Sequence, residues 1–224
     1  PEALSGFAHP VIALFLGGFA LAAALSAQGI DRWIANRVLV LSGGRPLPAA
    51  LLLSGATALL SMWISNTATT AMMLPIALGL AGSLAGDFPR YRIFLLLGLA
   101  WGANVGGIAT LVGSPPNAIA SAALDWTFND WLRMGLPVSL VLFPLALAVL
   151  YVSVRPEREV PRIDTGGAHP FPHSRAAWMT LGIFALTVAL WTLGGPLAAA
   201  LGIDEDFDAW VALLAIVLLG FSGT

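Results

Sequence analysis

The feature that most constrains this sequence is the placement of its charged residues, which leaves long windows without any Asp, Glu, Lys or Arg. Five such windows lie between Glu2 and Asp31, Arg45 and Asp87, Arg92 and Asp125, Arg133 and Arg155, and Arg175 and Asp204. Each window can hold at least one helix of about 20 residues, the length that crosses a bilayer core. Charged residues make up 10% of the chain and apolar ones 58%, whereas a soluble domain carries roughly a quarter charged residues. The sequence therefore predicts an all-α, polytopic membrane protein.

The composition also excludes several functional classes. The chain has no cysteine, so it has neither a disulfide framework nor a thiolate metal site. All ten basic residues are Arg and the net charge is −2, so there is no polybasic tail of the kind that binds nucleic acid. The apolar windows contain no nucleophile–base pair and no His/Asp cluster. We therefore do not expect an enzyme.

Arginine placement orients the predicted spans. A first span at 11–28 is followed by a short amphipathic segment at 31–41. Arginines flank the next window at Arg45 and at Arg90/Arg92, and four more lie in the polar loop 155–175. Because cytoplasmic loops are enriched in Lys and Arg, these segments are assigned to the cytoplasmic side. We also expect acidic outer loops at 125–130 and 204–208, spans at 136–154 and 176–200, and a last helix from about Ala209. Arg133 is the exception to the arginine pattern, because it falls on the outer side.

The window 47–86 is uncharged but far too long for a single span. The flanking arginines place both of its ends on the cytoplasmic side. Its two arms have no charged or strongly turn-forming loop between them, although two ordinary spans with an outer loop would satisfy the same orientation. Two helical arms that meet within the membrane fit better, and this predicts a re-entrant hairpin. Its tip is the polar run Ser61-Met62-Trp63-Ile64-Ser65-Asn66-Thr67-Ala68-Thr69-Thr70.

A second uncharged segment, 93–124, is also interrupted near its middle, at Gly113-Ser114-Pro115-Pro116-Asn117. Two consecutive prolines lack two backbone donors and cannot continue a straight helix. The pattern predicts a half-helix, an unwound link, and a second half-helix that begins near Pro115. Irregular backbone at membrane depth is tolerated only inside protein or beside a water-filled cavity. Two such interruptions in one chain therefore indicate a binding site near the bilayer midplane.

The residue types at the two interruptions favour a cation together with an anion. Hydroxyl, amide and carbonyl oxygens are hard ligands that suit Na⁺ better than a transition metal. Exposed N–H groups at the starts of half-helices suit an anion, to which neutral hydroxyls and amides can also donate. Neither interrupted segment holds an ionisable side chain, and proton-coupled carriers usually need one. The oxygen-bearing residues are Ser61, Ser65, Asn66, Thr67, the carbonyl of Gly113, Ser114 and Asn117.

Simpler interpretations of these interruptions stay open on the residues alone. Ser65 or Thr67 can serve as the N-cap of a kinked helix, and Pro115-Pro116 can mark an ordinary loop. Trp63 is interpreted as a packing residue. A channel or a purely structural membrane subunit, with the interruptions as packing kinks, is the alternative from another functional class.

Two motifs resemble those of a known family. The segment Ser61–Ile76, SMWISNTATTAMMLPI, and the segment Asn104–Ala120, NVGGIATLVGSPPNAIA, closely resemble the divalent anion/sodium symporter family of di- and tricarboxylate transporters. The resemblance implies that Ser65-Asn66-Thr67 is the tip of a re-entrant hairpin and that residues 113–117 unwind a discontinuous helix. It implies a Na⁺ site at Ser61, Ser65, Asn66 and Gly113, and substrate contacts from Ser65, Asn66, Thr67 and Ser114.

The same resemblance implies an architecture and a mode of action. Members of the family contain two inverted repeats, so this chain corresponds to one half, and we expect it to be a fragment truncated at both ends. Residues 1–46 would be scaffold helices, and residues 47–125 would form half of a moving transport domain, with hairpin 47–86 and broken helix 93–124. Residues 126–224 would be further transmembrane helices. A homodimer in the cell inner membrane would carry Na⁺ and a C4-dicarboxylate such as succinate by an elevator movement.

The resemblance leaves the substrate and the coupling open. Citrate or sulfate could replace the C4-dicarboxylate, and the protein could be a Na⁺-independent exchanger of the same fold.

Overall fold

The computed structural model describes residues 10–84, 86–163, 170–202 and 206–222. All regular secondary structure within these ranges is helical, which confirms the all-α fold class. Asp204 and Glu205 of the expected acidic loop lie outside the described residues. The helices in chain order are α1 (Pro10–Ala27), α2 (Ile30–Leu41), α3 (Pro46–Ser61), α4 (Asn66–Gly82), α5 (Pro89–Ile108), α6 (Pro115–Ala123), α7 (Phe128–Val154), α8 (Arg175–Leu193), α9 (Gly195–Leu201) and α10 (Phe207–Ser222).

Several of these helices suit a bilayer. Within the described residues, α5, α7 and α8 are each long and apolar enough to cross a membrane. The pair α1 and α2 meets the same criterion together, although the two helices are bent by 66° at the break between them. Helices α3 and α10 are apolar but shorter. The structure therefore has the character of a polytopic membrane protein, as the uncharged windows predict.

Helix α7 begins earlier than hydropathy predicted, at Phe128 rather than at residue 136. The Thr127 hydroxyl accepts a hydrogen bond from the backbone N–H of Asp130, whose carboxylate accepts one from the Thr127 N–H. This reciprocal pair is a capping box, which satisfies N–H groups that the first turn leaves unpaired. Arg133 consequently lies within the helix and not on a loop, with its guanidinium 3.9 Å from the Asp130 carboxylate.

The expected span at 176–200 is not one helix. Helix α8 ends at Leu193, and the short helix α9 begins at Gly195. A Cβ atom at Gly194 would lie 2.3 Å from the Leu190 carbonyl oxygen and 2.5 Å from the Phe207 ring. Only glycine fits this close approach, and the adjacent Gly195-Pro196 suits the start of a new helix. The chain therefore breaks where Phe207 packs against the end of α8.

The described helices form two large buried apolar clusters, and α7 contributes to both. Helices α2, α3, α4, α5 and α7 contribute to the first cluster, and α1, α6, α7, α8 and α10 contribute to the second. Leu111 and Val112, in the link after α5, are buried in the second cluster. A Cβ at Gly18 of α1 would lie 3.3 Å from the Val112 side chain. The link between α5 and α6 is therefore held against the first helix.

Helices α3 and α5 touch through their backbones. Gly98, Gly102 and Gly106 follow one another every four residues and so form one stripe on α5. A Cβ at Gly102 would lie 2.6 Å from the Ser54 carbonyl oxygen, and one at Gly106 would lie 2.1 Å from that of Ala58. Small residues allow such approach between helices in membranes, where packing replaces the hydrophobic effect as the driving force. The glycines therefore fix the register of α3 against α5.

Replacement of Gly106 by Ala should destabilise the protein, because its methyl group would overlap the Ala58 backbone. We expect a loss of about 1–3 kcal/mol, the usual cost of overpacking. Thermal unfolding in detergent, followed by size-exclusion fluorescence, measures it. Gly55→Ala is the matched control, because a Cβ there has no neighbour within 4 Å and alanine favours a helix interior. Equal melting temperatures for the two variants would contradict this packing.

The start of α5 is held by the loop that follows α7. The Glu157 carboxylate accepts hydrogen bonds from the backbone N–H of Tyr91 at 2.7 Å and of Arg90 at 3.2 Å, and from the Arg90 guanidinium at 3.3 Å. The Tyr91 hydroxyl donates to the Pro46 carbonyl at the start of α3. Burial acts to raise the pKa of Glu157, but the hydrogen bonds from backbone N–H groups and from Arg90 outweigh it. The pKa therefore lies below its ordinary value.

This depressed pKa makes stability depend on pH. The contribution of the Glu157 carboxylate is complete above its ordinary pKa of 4.5 and is lost as the pH falls through the lower pKa of the folded state. Glu157→Gln should lower the melting temperature at pH 7 and flatten its dependence on pH below 5. Glu159→Gln, an exposed site in the same loop, is the control. Parallel pH profiles for wild type and Glu157→Gln would rule out this role.

Candidate functional site

The first interruption separates α3 from α4 at residues 62–65, within the predicted polar run. Ser61, the last residue of α3, is fully buried. Ser65 is the N-cap of α4, and its hydroxyl accepts a hydrogen bond from the Ala68 N–H at 3.3 Å. The capping role considered for Ser65 is thus present. It leaves the hydroxyl hydrogen of Ser65 available as a donor.

The second interruption separates α5 from α6 at residues 109–114, and α6 begins at Pro115 as predicted. Pro115 and Pro116 occupy the first turn of α6, where a helix has no use for the missing N–H groups. Ser114 is the N-cap residue, but its side chain makes no capping hydrogen bond. The prolines therefore terminate the link and leave the Ser114 hydroxyl uncommitted within the described structure.

Thr110 joins the two interruptions. Its hydroxyl donates a hydrogen bond to the Met62 carbonyl in the first interruption and accepts one from the Gly113 N–H at 3.2 Å. The Asn117 amide donates to the carbonyls of Gly107 at 2.7 Å and Thr110 at 2.8 Å. These side chains replace the helical partners that the unwound backbone lacks, as buried polar groups require. Two distant parts of the chain thus become one polar cluster.

A second set of contacts runs through Asn66, the first residue of α4. The Ser61 hydroxyl donates to Asn66 Oδ1 at 2.8 Å, and Asn66 Nδ2 donates to Asn104 Oδ1 of α5 at 3.3 Å. A Cβ at Gly107 would lie 2.2 Å from Asn66 Oδ1, and one at Gly113 would lie 3.0 Å from the Ser61 carbonyl oxygen. Both glycines are therefore required for the chains to approach this closely.

The predicted site residues divide into two sets. Ser61, Asn66 and Gly113 are brought together by these contacts. Ser65 lies beside them at the α4 cap, while Thr67 is exposed and Ser114 is partly exposed. The hydroxyls of Thr67 and Ser114 make no hydrogen bond within the part of the chain that the structure describes. They lie at the first turn of α4 and at the N-cap of α6, both accessible to a small ligand.

The cluster is electrically neutral. No Asp, Glu, Lys, Arg or His occurs in 46–86 or 93–124. Among the described residues, no group of three or more His, Cys, Asp or Glu side chains lies together in a way that could hold a metal ion. Its polar character comes from neutral oxygens and from the N-termini of α4 and α6, each of which carries about half a positive charge. The arrangement therefore offers oxygen ligands to a hard cation and N–H groups to an anion.

Sequence reasoning did not assign a role to Asn104 or Thr110, although both stand within the second motif. Their partners are 38 and 48 residues away in the chain, so no local pattern indicates them. The available signal was the polarity of Asn104 near the end of the apolar helix α5. Asn117 was recognised as an oxygen-bearing residue, but its amide donates to backbone carbonyls.

The Trp63 side chain packs as expected, and its indole makes no hydrogen bond within the described structure. Its ring stacks on Phe128 of α7 with centroids 6.2 Å apart and meets the edge of Phe184 of α8 at 5.3 Å. Phe128 in turn stacks on Trp191 at 4.9 Å. The first interruption is therefore anchored by aromatic contacts to the helices outside the segment 47–125.

Comparison with known proteins identifies the family. A family model described as "Citrate transporter" matches residues 1–222. The chain belongs to the citrate transporter family. It is 42% identical to an uncharacterized transporter of Haemophilus influenzae over 99% of this chain and 50% of that protein. It is 43% identical to one of Methanocaldococcus jannaschii over 98% of this chain and 54% of that protein.

A relative with a described activity is more distant. The sodium-dependent dicarboxylate transporter SdcS of Staphylococcus aureus is 30% identical over 69% of this chain and 33% of its own length. The chain thus spans about half the length of the two uncharacterized transporters. Membership of the citrate transporter family agrees with the apolar helices and with the two motifs, and it implies a membrane protein.

Replacement of Thr110 by Val should loosen the junction of the two interruptions while preserving side-chain volume. The Met62 carbonyl and the Gly113 N–H would lose their partner, a loss that costs about 1–3 kcal/mol for buried groups. Thermal unfolding and faster hydrogen exchange at residues 109–114 measure the effect, and Thr110→Ser should restore both. Thr192→Val, which removes a bond within α8, is the control. Wild-type exchange in Thr110→Val would show that Thr110 does not join the interruptions.

Proposed function

We propose that this protein is a secondary transporter that couples Na⁺ to the movement of di- and tricarboxylates, with a C4-dicarboxylate such as succinate as substrate. The observation that carries the proposal is the junction of two unwound segments into one uncharged, oxygen-rich cluster. SdcS, a relative at 30% identity, is described as a sodium-dependent dicarboxylate transporter. A site without ionisable side chains favours a metal cation over a proton as the coupling ion.

The Na⁺ would bind at Ser61, Ser65, Asn66 and the carbonyl of Gly113. Asn66 Oδ1 and Ser61 Oγ lie 2.8 Å apart, and Gly113 approaches the Ser61 backbone. These oxygens are hard, neutral ligands, as Na⁺ prefers. The coupling ion would then replace the hydrogen bond from Ser61 to Asn66, because both oxygens turn their lone pairs toward the cation.

The substrate carboxylate would meet Ser65, Asn66, Thr67 and Ser114. The hydroxyls of Thr67 and Ser114 are accessible and have no other partner within the described residues. The N-termini of α4 and α6 add partial positive charge. A bound Na⁺ would supply the full charge that the protein itself does not provide in these segments.

Transport would require movement of the cluster relative to other helices. Residues 47–125, with the hairpin and the broken helix, would move as half of a transport domain, and residues 1–46 would belong to the scaffold. The aromatic contacts of Trp63 with α7 and α8 would be remade during such a movement. The other wall of the substrate site would come from a second repeat. We infer a homodimer in the cell inner membrane working by elevator-type alternating access.

Citrate is the second candidate substrate, and the description of the matching family favours it. The same hydroxyls and helix N-termini suit any carboxylate, so this half of the site does not separate the two substrates.

The decisive experiment is uptake of radiolabelled succinate into proteoliposomes that contain the complete gene product carrying this sequence. We expect uptake to require an inward Na⁺ gradient and to fall when choline replaces Na⁺. Unlabelled succinate and citrate as competitors rank the two substrates. Uptake that is indifferent to Na⁺ would reject the coupling, and Na⁺-dependent uptake of radiolabelled citrate without uptake of succinate would reject the C4-dicarboxylate.

Variants of the site belong to the same experiment. Asn66→Ala and Ser114→Ala should each raise the succinate concentration for half-maximal uptake by about fivefold or more, because each removes at least one hydrogen bond of about 1 kcal/mol. Ser83→Ala is the matched control, since among the described residues its hydroxyl bonds only the Leu80 carbonyl at the far end of α4. Wild-type kinetics in both site variants would leave Ser65-Asn66-Thr67 as a helix cap only.

A further inference from the structure

Asn104 occupies an unusual position on α5. It is exposed, although the neighbouring residues Gly102, Ala103, Gly106 and Gly107 are buried. Its Oδ1 atom accepts the hydrogen bond from Asn66 Nδ2. Its own Nδ2 group has no hydrogen-bond partner in the described part of the chain. The NH₂ group of the exposed Asn104 is therefore available to a ligand, and the same side chain contacts Asn66, one of the proposed ion ligands.

The hydrogen bonds that connect the side chains of Ser61, Asn66 and Asn104 can run in two directions. Either end of an Asn amide fits the same space, and a Ser hydroxyl can donate or accept. In the observed direction Ser61 donates to Asn66, and Asn66 donates to Asn104. In the reverse direction Asn104 donates to Asn66 and Asn66 donates to Ser61. Asn104 would then present its carbonyl oxygen outward in place of its NH₂ group.

A cation selects one of these directions. Na⁺ can bind Asn66 only through Oδ1, because the NH₂ group has no lone pair to offer. With Oδ1 on the ion, Nδ2 must donate to Asn104 Oδ1, which leaves the Asn104 NH₂ group outward. The reverse direction points an NH₂ group at Ser61 and the ion, and a carbonyl oxygen at any carboxylate that enters.

We propose that Asn104 is a positioning and substrate-binding residue that couples the two ligands of the proposed transporter. Na⁺ at Ser61 and Asn66 sets the direction of the hydrogen bonds between the two amides, and Asn104 then donates from Nδ2 to the substrate carboxylate. The inference rests on the proposed function and deepens it. It requires no change of backbone, only two amide rotations, and it makes cation and anion binding mutually reinforcing.

Two substitutions of Asn104 separate its two roles. Asn104→Asp keeps an acceptor for Asn66 Nδ2 but replaces the outward donor by an oxygen. It should retain or increase Na⁺ affinity and weaken succinate binding about tenfold at saturating Na⁺. Asn104→Leu removes the acceptor and should weaken Na⁺ binding about fivefold in the absence of substrate. Na⁺ binding is read from the rise in melting temperature of the substrate-free complete protein, with choline as the reference salt.

A control substitution and a measurement of folding accompany the two Asn104 variants. Asn129→Asp makes the same chemical change at the first turn of α7, where the side chain has no hydrogen bond among the described residues, and should leave both affinities unchanged. Melting temperatures without Na⁺ report folding of each variant. The proposed role of Asn104 alone would be contradicted by any of three results. These are wild-type succinate affinity in Asn104→Asp, loss of Na⁺ affinity in Asn104→Asp, and wild-type Na⁺ affinity in Asn104→Leu. No Na⁺ stabilisation of the wild type would overturn the proposed function as well.

Discussion

The structure depends on the need to satisfy backbone groups where two helices unwind. A buried carbonyl that has left its helix needs another hydrogen-bond donor, because water cannot reach it. Thr110 meets this need for both interruptions, because its one hydroxyl contacts Met62 and Gly113. The Asn117 amide does the same for the carbonyls of Gly107, near the end of α5, and of Thr110 in the link after it. The Thr110 hydroxyl thus joins the two unwound segments, so that each contributes to holding the other in place.

That junction is possible only because α3 and α5 approach each other so closely. The glycine stripe at 98, 102 and 106 brings the α5 backbone against Ser54 and Ala58. The close approach continues at Gly107, where the absence of a side chain admits the Asn66 amide. The helix packing and the polar cluster are therefore parts of one continuous contact between α5 and the segment that contains α3 and Asn66. A methyl group anywhere along it would displace the site as well as the helices.

Much of the architecture follows from patterns within the sequence. Uncharged windows predicted the helices, and Ser65-Asn66-Thr67 and Pro115-Pro116 predicted where two of them break. The early start of α7 was missed because a capping box at Thr127 extends the helix through a polar segment that hydropathy assigns to a loop. The break at Gly194 was missed although the helix-breaking sequence Gly194-Gly195-Pro196 indicates it. The roles of Asn104 and Thr110 were missed because their partners lie 38 and 48 residues away in the chain.

The neutrality of the cluster bears most directly on coupling. A helix N-terminus stabilises an anion by about 0.3–1 kcal/mol at an exposed site and about 2 kcal/mol at a partly buried one. A full positive charge 4 Å from a carboxylate contributes about 4 kcal/mol at an effective dielectric constant of 20. In segments without Arg or Lys, a bound cation is therefore the largest favourable charge available to a carboxylate. In the proposed transporter this difference links the two ligands, because an anion would bind the empty cluster weakly and the Na⁺-loaded one far more tightly.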